Sequence, residues 1–224
     1  MISKICLSLK SLECVDFTYF ASYIQNIELR LDSINIHDID LESIAGLFQK
    51  VILKIKNLEQ IETIGVLFDL DKLSDKIIFD INYNDYMKYT SKNKLLLDKY
   101  HYILSIHNLK YDEIINYFNL FQNLNNIHKY HYIKIVIYDN TINYNKKLLY
   151  TMYNIHKNQY NNLICFFEGE DYIMSRYHSL ILGSPFLYCG LSDTLKTGIG
   201  QPTIVDAIRM IKLLGSFCKN IDTN

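Results

Sequence analysis

Lys134 stands in Tyr132-Ile133-Lys134-Ile135-Val136-Ile137, a run with the β-branched character of a strand. Lysine is almost never fully buried without a partner or a purpose. Inside a protein, desolvation and cationic neighbours would lower its pKa from the reference of about 10.4, which makes an amine able to attack a carbonyl. The same test, a polar residue breaking an apolar run, selects Ser105 and His107 in Tyr102-Ile103-Leu104-Ser105-Ile106-His107 and Lys54 and Lys56 in Val51-Ile52-Leu53-Lys54-Ile55-Lys56. It also selects Glu28, Arg30 and Asp32 in Ile27-Glu28-Leu29-Arg30-Leu31-Asp32, which period-two geometry puts on one face. A lysine and a histidine on neighbouring strands would make an imine-forming nucleophile with a proton shuttle. Arginine occurs only at 30, 176 and 209, so its presence at 30 and 176 points to an anionic or hydroxylated ligand that needs a fork-shaped donor. Gly198-Ile199-Gly200-Gln201, just before a capped helix, reads as a flexible loop able to cover such a site.

The elements that must position these residues alternate. Strand candidates are Lys4 to Leu9, Asn26 to Asp32, Lys50 to Lys56, Lys76 to Asn82, His101 to Asn108, His131 to Asp139, Asn162 to Gly169 and Leu180 to Cys189. Helical spacing marks Leu12 to Ile24, Leu41 to Gln49, Leu58 to Leu70, Tyr86 to Lys99, Asp112 to Leu124, Asn145 to Gln159, Asp171 to His178 and Thr203 to Lys219. Caps are expected at Ser11, at Asp38 or Asp40, and at Thr203 with Asp206 in a capping-box-like arrangement. Eight such repeats with no linker predict a single α/β domain over residues 1–224, a (β/α)₈ TIM barrel with its site at the C-terminal ends of the strands. An open doubly wound sheet would want a glycine-rich first turn, and the first strand is followed by Lys10-Ser11-Leu12.

Composition narrows the function classes. The 224 residues carry 23 Lys plus Arg against 24 Asp plus Glu, a net charge of -1, which argues against a protein whose partner is a phosphate backbone. The five cysteines form no CxxC pair and the seven histidines no HExxH motif, so neither a disulfide framework nor a metal site is expected. The cysteines read as mostly buried thiols, and the His128 and His131 pair as structural or solvent-facing. Lys4, Lys10, Glu13 and Asp16 interrupt the apolar N-terminus, so neither a signal peptide nor a membrane span is expected and the cytoplasm is the default. The 19 tyrosines fall largely in helices and connectors, with the asparagine and isoleucine excess, and read as background rather than stacking platforms.

Taken in order, Glu28-Leu29-Arg30-Leu31-Asp32, Ser105-Ile106-His107, Lys134, Ser175-Arg176, Gly183-Ser184 and Gly200-Gln201 resemble type I 3-dehydroquinate dehydratase, from about residue 2 to 215. The resemblance implies a (β/α)₈ barrel, a homodimer without cofactor or metal, acting on the small molecule 3-dehydroquinate to give 3-dehydroshikimate and water. It implies that Lys134 forms a Schiff base and His107 is the general acid and base. Arg176, Gln201 and Thr197 would hold the substrate carboxylate, Thr197 standing where the family commonly has serine. Glu28 and Arg30 would contact ring hydroxyls, and Tyr188 would line the pocket. Lys54 replaces a usual arginine, and Leu58 stands where some members carry an acid that orients the histidine. The stretch from Tyr188 to Gln201 is about two residues longer, and Glu168-Gly169-Glu170-Asp171 replaces a methionine-rich segment. Another Schiff-base barrel, such as an aldolase, would share the lysine without needing Glu28, Arg30, Arg176 and Gln201; a drifted binding protein would have lost the lysine or histidine.

Overall fold

A computed structural model describes residues 1–90, 99–110, 113–114, 116, 132–138, 153 and 162–221. Eight parallel strands run in the order β7-β6-β5-β4-β3-β2-β1-β8: β1 Ile5–Leu9, β2 Asn26–Arg30, β3 Lys50–Lys54, β4 Ile77–Asn82, β5 His101–Leu109, β6 Tyr132–Ile137, β7 Leu163–Phe167 and β8 Leu187–Cys189. The helices are α1 Phe17–Ala21, α2 Leu41–Leu47, α3 Glu59–Leu67, α4 Leu70–Leu73, α5 Tyr83–Thr90, α6 Ile173–Ile181 and α7 Ile204–Ile221. The expected (β/α)₈ barrel is the observed fold class. Most of two expected helices, Asp112 to Leu124 and Asn145 to Gln159, lies outside the described residues, as do His128 and His131. Among the described residues no helix is long and apolar enough to cross a membrane.

Strand composition explains the layering. Nearly every strand position is buried, as a parallel sheet covered on both faces requires. Cys6, Ile52, Ile78, Ile103, Val136, Ile164, Phe166, Phe186 and Tyr188 pack together inside the barrel, while residues of opposite parity such as Leu7, Ile27, Leu53, Phe79, Leu104 and Ile135 join the helix-facing core. Strands β7 and β8 share no ladder. Instead Ser175 and Ser179 of α6 accept from Phe167 N at 2.9 Å and Cys165 N at 3.3 Å, so side chains satisfy the open edge of β7 that would otherwise need a strand. These two bonds also fix the rotation of α6.

Several boundaries differ from expectation. Helix α1 begins at an Asp16 cap that accepts from Tyr19 N, because Leu12–Val15 form a turn in which Cys14 has φ 58°; Cys14 is exposed, whereas Cys6, Cys165 and Cys189 are buried thiols. The segment Leu58 to Leu70 breaks at Phe68, whose φ of -132° is extended. Strand eight is only Leu187–Cys189, since the apolar Leu180 belongs to α6, which ends before Gly183 at φ 115°. Helix α5 starts three residues before the expected Tyr86. The caps at Asp40 and at Thr203 with Asp206 form as expected.

Candidate active site

The parallel register sets the floor of the site. Lys54 is level with Asp80, Asn82 with Ser105, and Ser105 with Lys134. Lys134 is only 5% exposed. Its Nζ donates to Asp80 Oδ2 at 2.9 Å and Glu28 Oε1 at 3.3 Å and lies 4.2 Å from the Tyr188 ring centroid, a cation–π contact. Lys54 Nζ donates to Asp80 Oδ1 at 2.7 Å and Ser105 Oγ at 2.9 Å. Asp80, fully buried, therefore carries two ammonium groups; burial disfavours its charge, but Lys134 and Lys54 outweigh that and hold the carboxylate well below its usual range.

The direction of the Lys134 shift reverses the expectation from sequence. Burial pulls the amine downward, as foreseen, but Asp80 and Glu28 more than offset it and the net shift is upward. The free protein thus holds Lys134 as a paired ammonium. Sequence reasoning passed over Asp80, although Ile77-Ile78-Phe79-Asp80-Ile81 breaks an apolar run in the same way as Lys134 does.

Above this floor a cavity of about 150 Å³ opens at the C-terminal ends of the strands. Of the sequence-selected residues, Glu28, Arg30, His107, Lys134, Arg176, Tyr188, Thr197 and Gln201 line it, joined by Glu168. Lys54 does not; its amine is turned into the floor. Lys56 is exposed beyond the strand, Glu59 is exposed at the start of α3, and Leu58 is buried in the helix-facing core; none of the three lines the cavity.

His107 Nε2 is buried without a hydrogen-bond partner among the described residues. Burial first, then the Lys134 and Lys54 charges, push its pKa down to about 3, which leaves a neutral imidazole, and the residue lines the cavity. Arg176, held inward by its neighbours Ser175 and Ser179, stacks on Phe166 with its guanidinium carbon 4.0 Å from the ring centroid. It donates to Ile199 O at 3.1 Å while its Nε has no partner among the described residues. Burial lowers its pKa to about 10 against the opposing pull of Glu168, Glu170 and Glu28, so the group remains a cation with donors to spare. Arg30 forms a two-pronged pair with Asp32, at 2.9 and 2.6 Å.

The loop after β8 closes over one side. Gln201 Oε1 accepts from Thr197 N at 2.8 Å and Gly198 N at 3.3 Å, and Thr197 Oγ1 meets Ser8 Oγ at 2.7 Å. Ser8 in turn donates to Glu28. A continuous path of hydrogen bonds thus joins Gln201 in the loop to Lys134 in the floor. Gly200 at φ 68° lies so close to the β7 loop that an added Cβ would stand 1.9 Å from Gly169 O; only glycine fits there.

A buried amine, an unprotonated imidazole and an anion-ready guanidinium around one small cavity at the strand ends can hold a small carboxylic acid and carry out carbonyl and proton-transfer chemistry on it. The comparisons agree with that geometry. Among solved structures, the chain is similar to a 3-dehydroquinate dehydratase from Geobacillus kaustophilus (TM-score 0.67, 12% identity, 96% of this chain and 92% of that one). It is also similar to the Aquifex aeolicus 3-dehydroquinate dehydratase (0.66, 20%, 93% and 97%). A third is a type I 3-dehydroquinate dehydratase from Clostridium difficile with covalently modified comenic acid (0.59, 14%, 95% and 92%). At these identities the likeness speaks for the fold. No curated protein matches by sequence. The family model for type I 3-dehydroquinase matches residues 70–217, about two-thirds of the chain, a stretch that includes His107, Lys134, Arg176, Tyr188, Thr197 and Gln201. The chain belongs to the type I 3-dehydroquinase family of hydro-lyases.

Proposed function

We propose that this chain removes water from 3-dehydroquinate to give 3-dehydroshikimate, with Lys134 forming a Schiff base to the substrate ketone. The observation that carries the reading is that Lys134, a neutral His107 and a partly unpaired Arg176 share one cavity. Neutral His107 takes the proton that keeps Lys134 an ammonium, and the freed amine adds to the ketone carbon. His107 returns that proton to the carbinolamine hydroxyl, which leaves as water, and an iminium remains. The iminium draws electrons from the neighbouring carbon, so His107 removes the proton at carbon 2 and then protonates the hydroxyl departing from carbon 1. Hydrolysis of the iminium frees the product and restores the amine.

Arg176 holds the carboxylate through its unused donors, with Gln201 and Thr197 closing over it; Glu28 and Arg30 meet the ring hydroxyls, and Tyr188 bounds the ring. Lys54 acts from below, by keeping Asp80 charged and in place. General acid and base work supplies about 10²- to 10⁴-fold, so the iminium and the fixed orientation must supply the remainder. The same reading makes the protein a cytoplasmic homodimer without a cofactor, which light scattering on the purified protein would test as to assembly.

Borohydride added during turnover should leave a stable mass adduct on Lys134, and the conjugated product should appear by its absorbance in its absence. Turnover without a trapped adduct overturns the Schiff base. Absence of turnover overturns the substrate.

A further inference from the structure

The charges around the cavity do not cancel. Arg30 is paired with Asp32, and Lys54 and Lys134 with Asp80 and Glu28. Arg176 is left with Glu168 and Glu170, both of which act on it electrostatically. Four cations face five carboxylates before any ligand enters. Glu170 is turned toward the loop, accepting from Gly200 N at 3.4 Å, whereas Glu168 lines the cavity itself.

Glu168 is held there by the backbone. Its N–H donates to Ile137 O at 2.8 Å, the last rung between β7 and β6, and the chain then turns at Gly169, whose φ is 139°. Glu168 Oε1 and Arg176 Nη2 converge on the same spot of the loop: a Cβ placed on Gly198 would lie 3.5 Å from the first and 3.7 Å from the second. They form no salt bridge, so the carboxylate sits beside the guanidinium and not on it. A ligand carboxylate at Arg176 would have to share this space with a second negative charge, whose repulsion in a partly desolvated cavity is substantial.

We propose that Glu168 determines how the site discriminates by charge at the Arg176 position. It is a resident anion that weakens binding of a carboxylate there and leaves a neutral group of the same shape unaffected. The proposal rests on the reading of Arg176 as the carboxylate-binding residue. Its consequence is a site whose preference for acid over ester is compressed, set by one residue that touches neither the ketone nor the protons being moved.

The test is calorimetric binding of 3-dehydroshikimate and of its methyl ester to the wild type, Glu168→Gln, Glu168→Met and Glu168→Asp. Both neutral variants should bind the acid about tenfold more tightly and the ester within about twofold of the wild type, while Glu168→Asp should keep the wild-type ratio. The inference is overturned if the neutral variants bind acid and ester with equal change, or bind the acid more weakly, which would make Glu168 a ligand-binding group. The two readings separate cleanly: wild-type turnover of 3-dehydroquinate with no change in the acid-to-ester ratio sinks this inference alone. A wild type that binds neither compound and leaves 3-dehydroquinate untouched sinks both.

Discussion

Asp80 Oδ2 reaches Lys134 Nζ at 2.9 Å although their strands are separated by β5. The gap is bridged because the β5 residue level with Lys134 is Ser105, small enough to leave room and able to use its own hydroxyl on Lys54 Nζ and Ile81 O. A larger apolar residue at 105 would both fill the space and strand an ammonium group.

Replacing the shared acid should therefore disturb two cations at once. Asp80→Asn leaves Lys54 and Lys134 buried with Glu28 as the remaining acid, and breaking buried pairs of this kind costs about 3–5 kcal/mol. Thermal unfolding should detect that loss. The raised Lys134 pKa should fall in the variant, so the rise of kcat/KM with pH should move to lower pH even as the maximal rate drops; an unmoved profile would mean that Asp80 does not set the state of the amine.

The histidine should carry a pH signature in stability. An unfolded histidine takes its proton near pH 6.5, whereas folded His107 resists protonation down to about 3. The unfolded state therefore binds the proton first as pH falls, and stability that is complete above about 6.5 is lost below it, at up to about 1.4 kcal/mol per pH unit. Between pH 7.5 and 5, urea unfolding should show the wild type losing about 1–2 kcal/mol more than His107→Gln. In the same range a proton NMR titration of wild-type His107 should be flat.

Gly200→Ala tests the seating of the loop. Its Cβ would collide with Gly169 O at a residue already in the left-handed region, so the loop must lift. We expect kcat/KM to fall by about tenfold or more, given that misplacement by about 1 Å can cost 10²-fold, with a smaller change in melting temperature. Full activity would mean that the loop contact has no part in catalysis.

Thr197→Val and Thr197→Ser should separate shape from hydrogen bonding. The serine keeps the bonds to Ser8 and Gln201 and should retain activity within about threefold. Valine removes the hydroxyl's contacts with Ser8 Oγ and Gln201 Oε1 but keeps the backbone N–H bond to Gln201, and each lost bond is worth about 0.5–1.5 kcal/mol. Steady-state kinetics should show a higher KM for valine with a lesser effect on kcat.

Legibility in the sequence followed burial. A parallel strand covered on both faces tolerates polar residues only where something inside accepts them, so Glu28, Arg30, Ser105, His107 and Lys134 each stand out against an apolar run. Asp80 stands out in the same way, and without it the sign of the Lys134 shift was not readable, because the amine's counter-ions come from β2 and β4 and only the barrel brings them together. Lys54 met the same criterion yet belongs to the floor, since strand parity tells which face a side chain takes but not how far it reaches. Glu168 lies just past a strand end, where an acid carries no signal, and its meaning depends on Arg176, which arrives from α6. The helix start at Asp16 was misjudged because Ser11 is an equally good capping residue followed by a turn.

An ammonium has no lone pair. By holding Lys134 between Asp80 and Glu28, the resting protein lowers the already small unprotonated fraction of this amine, the form that aldehydes, cyanate and carbon dioxide modify. An ammonium must lose a proton before it can add to a carbonyl, and under the proposed function the imidazole of His107, which lines the same cavity, is the group that takes it. Chemical selectivity thereby resides in the resting charge state as well as in the shape of the cavity.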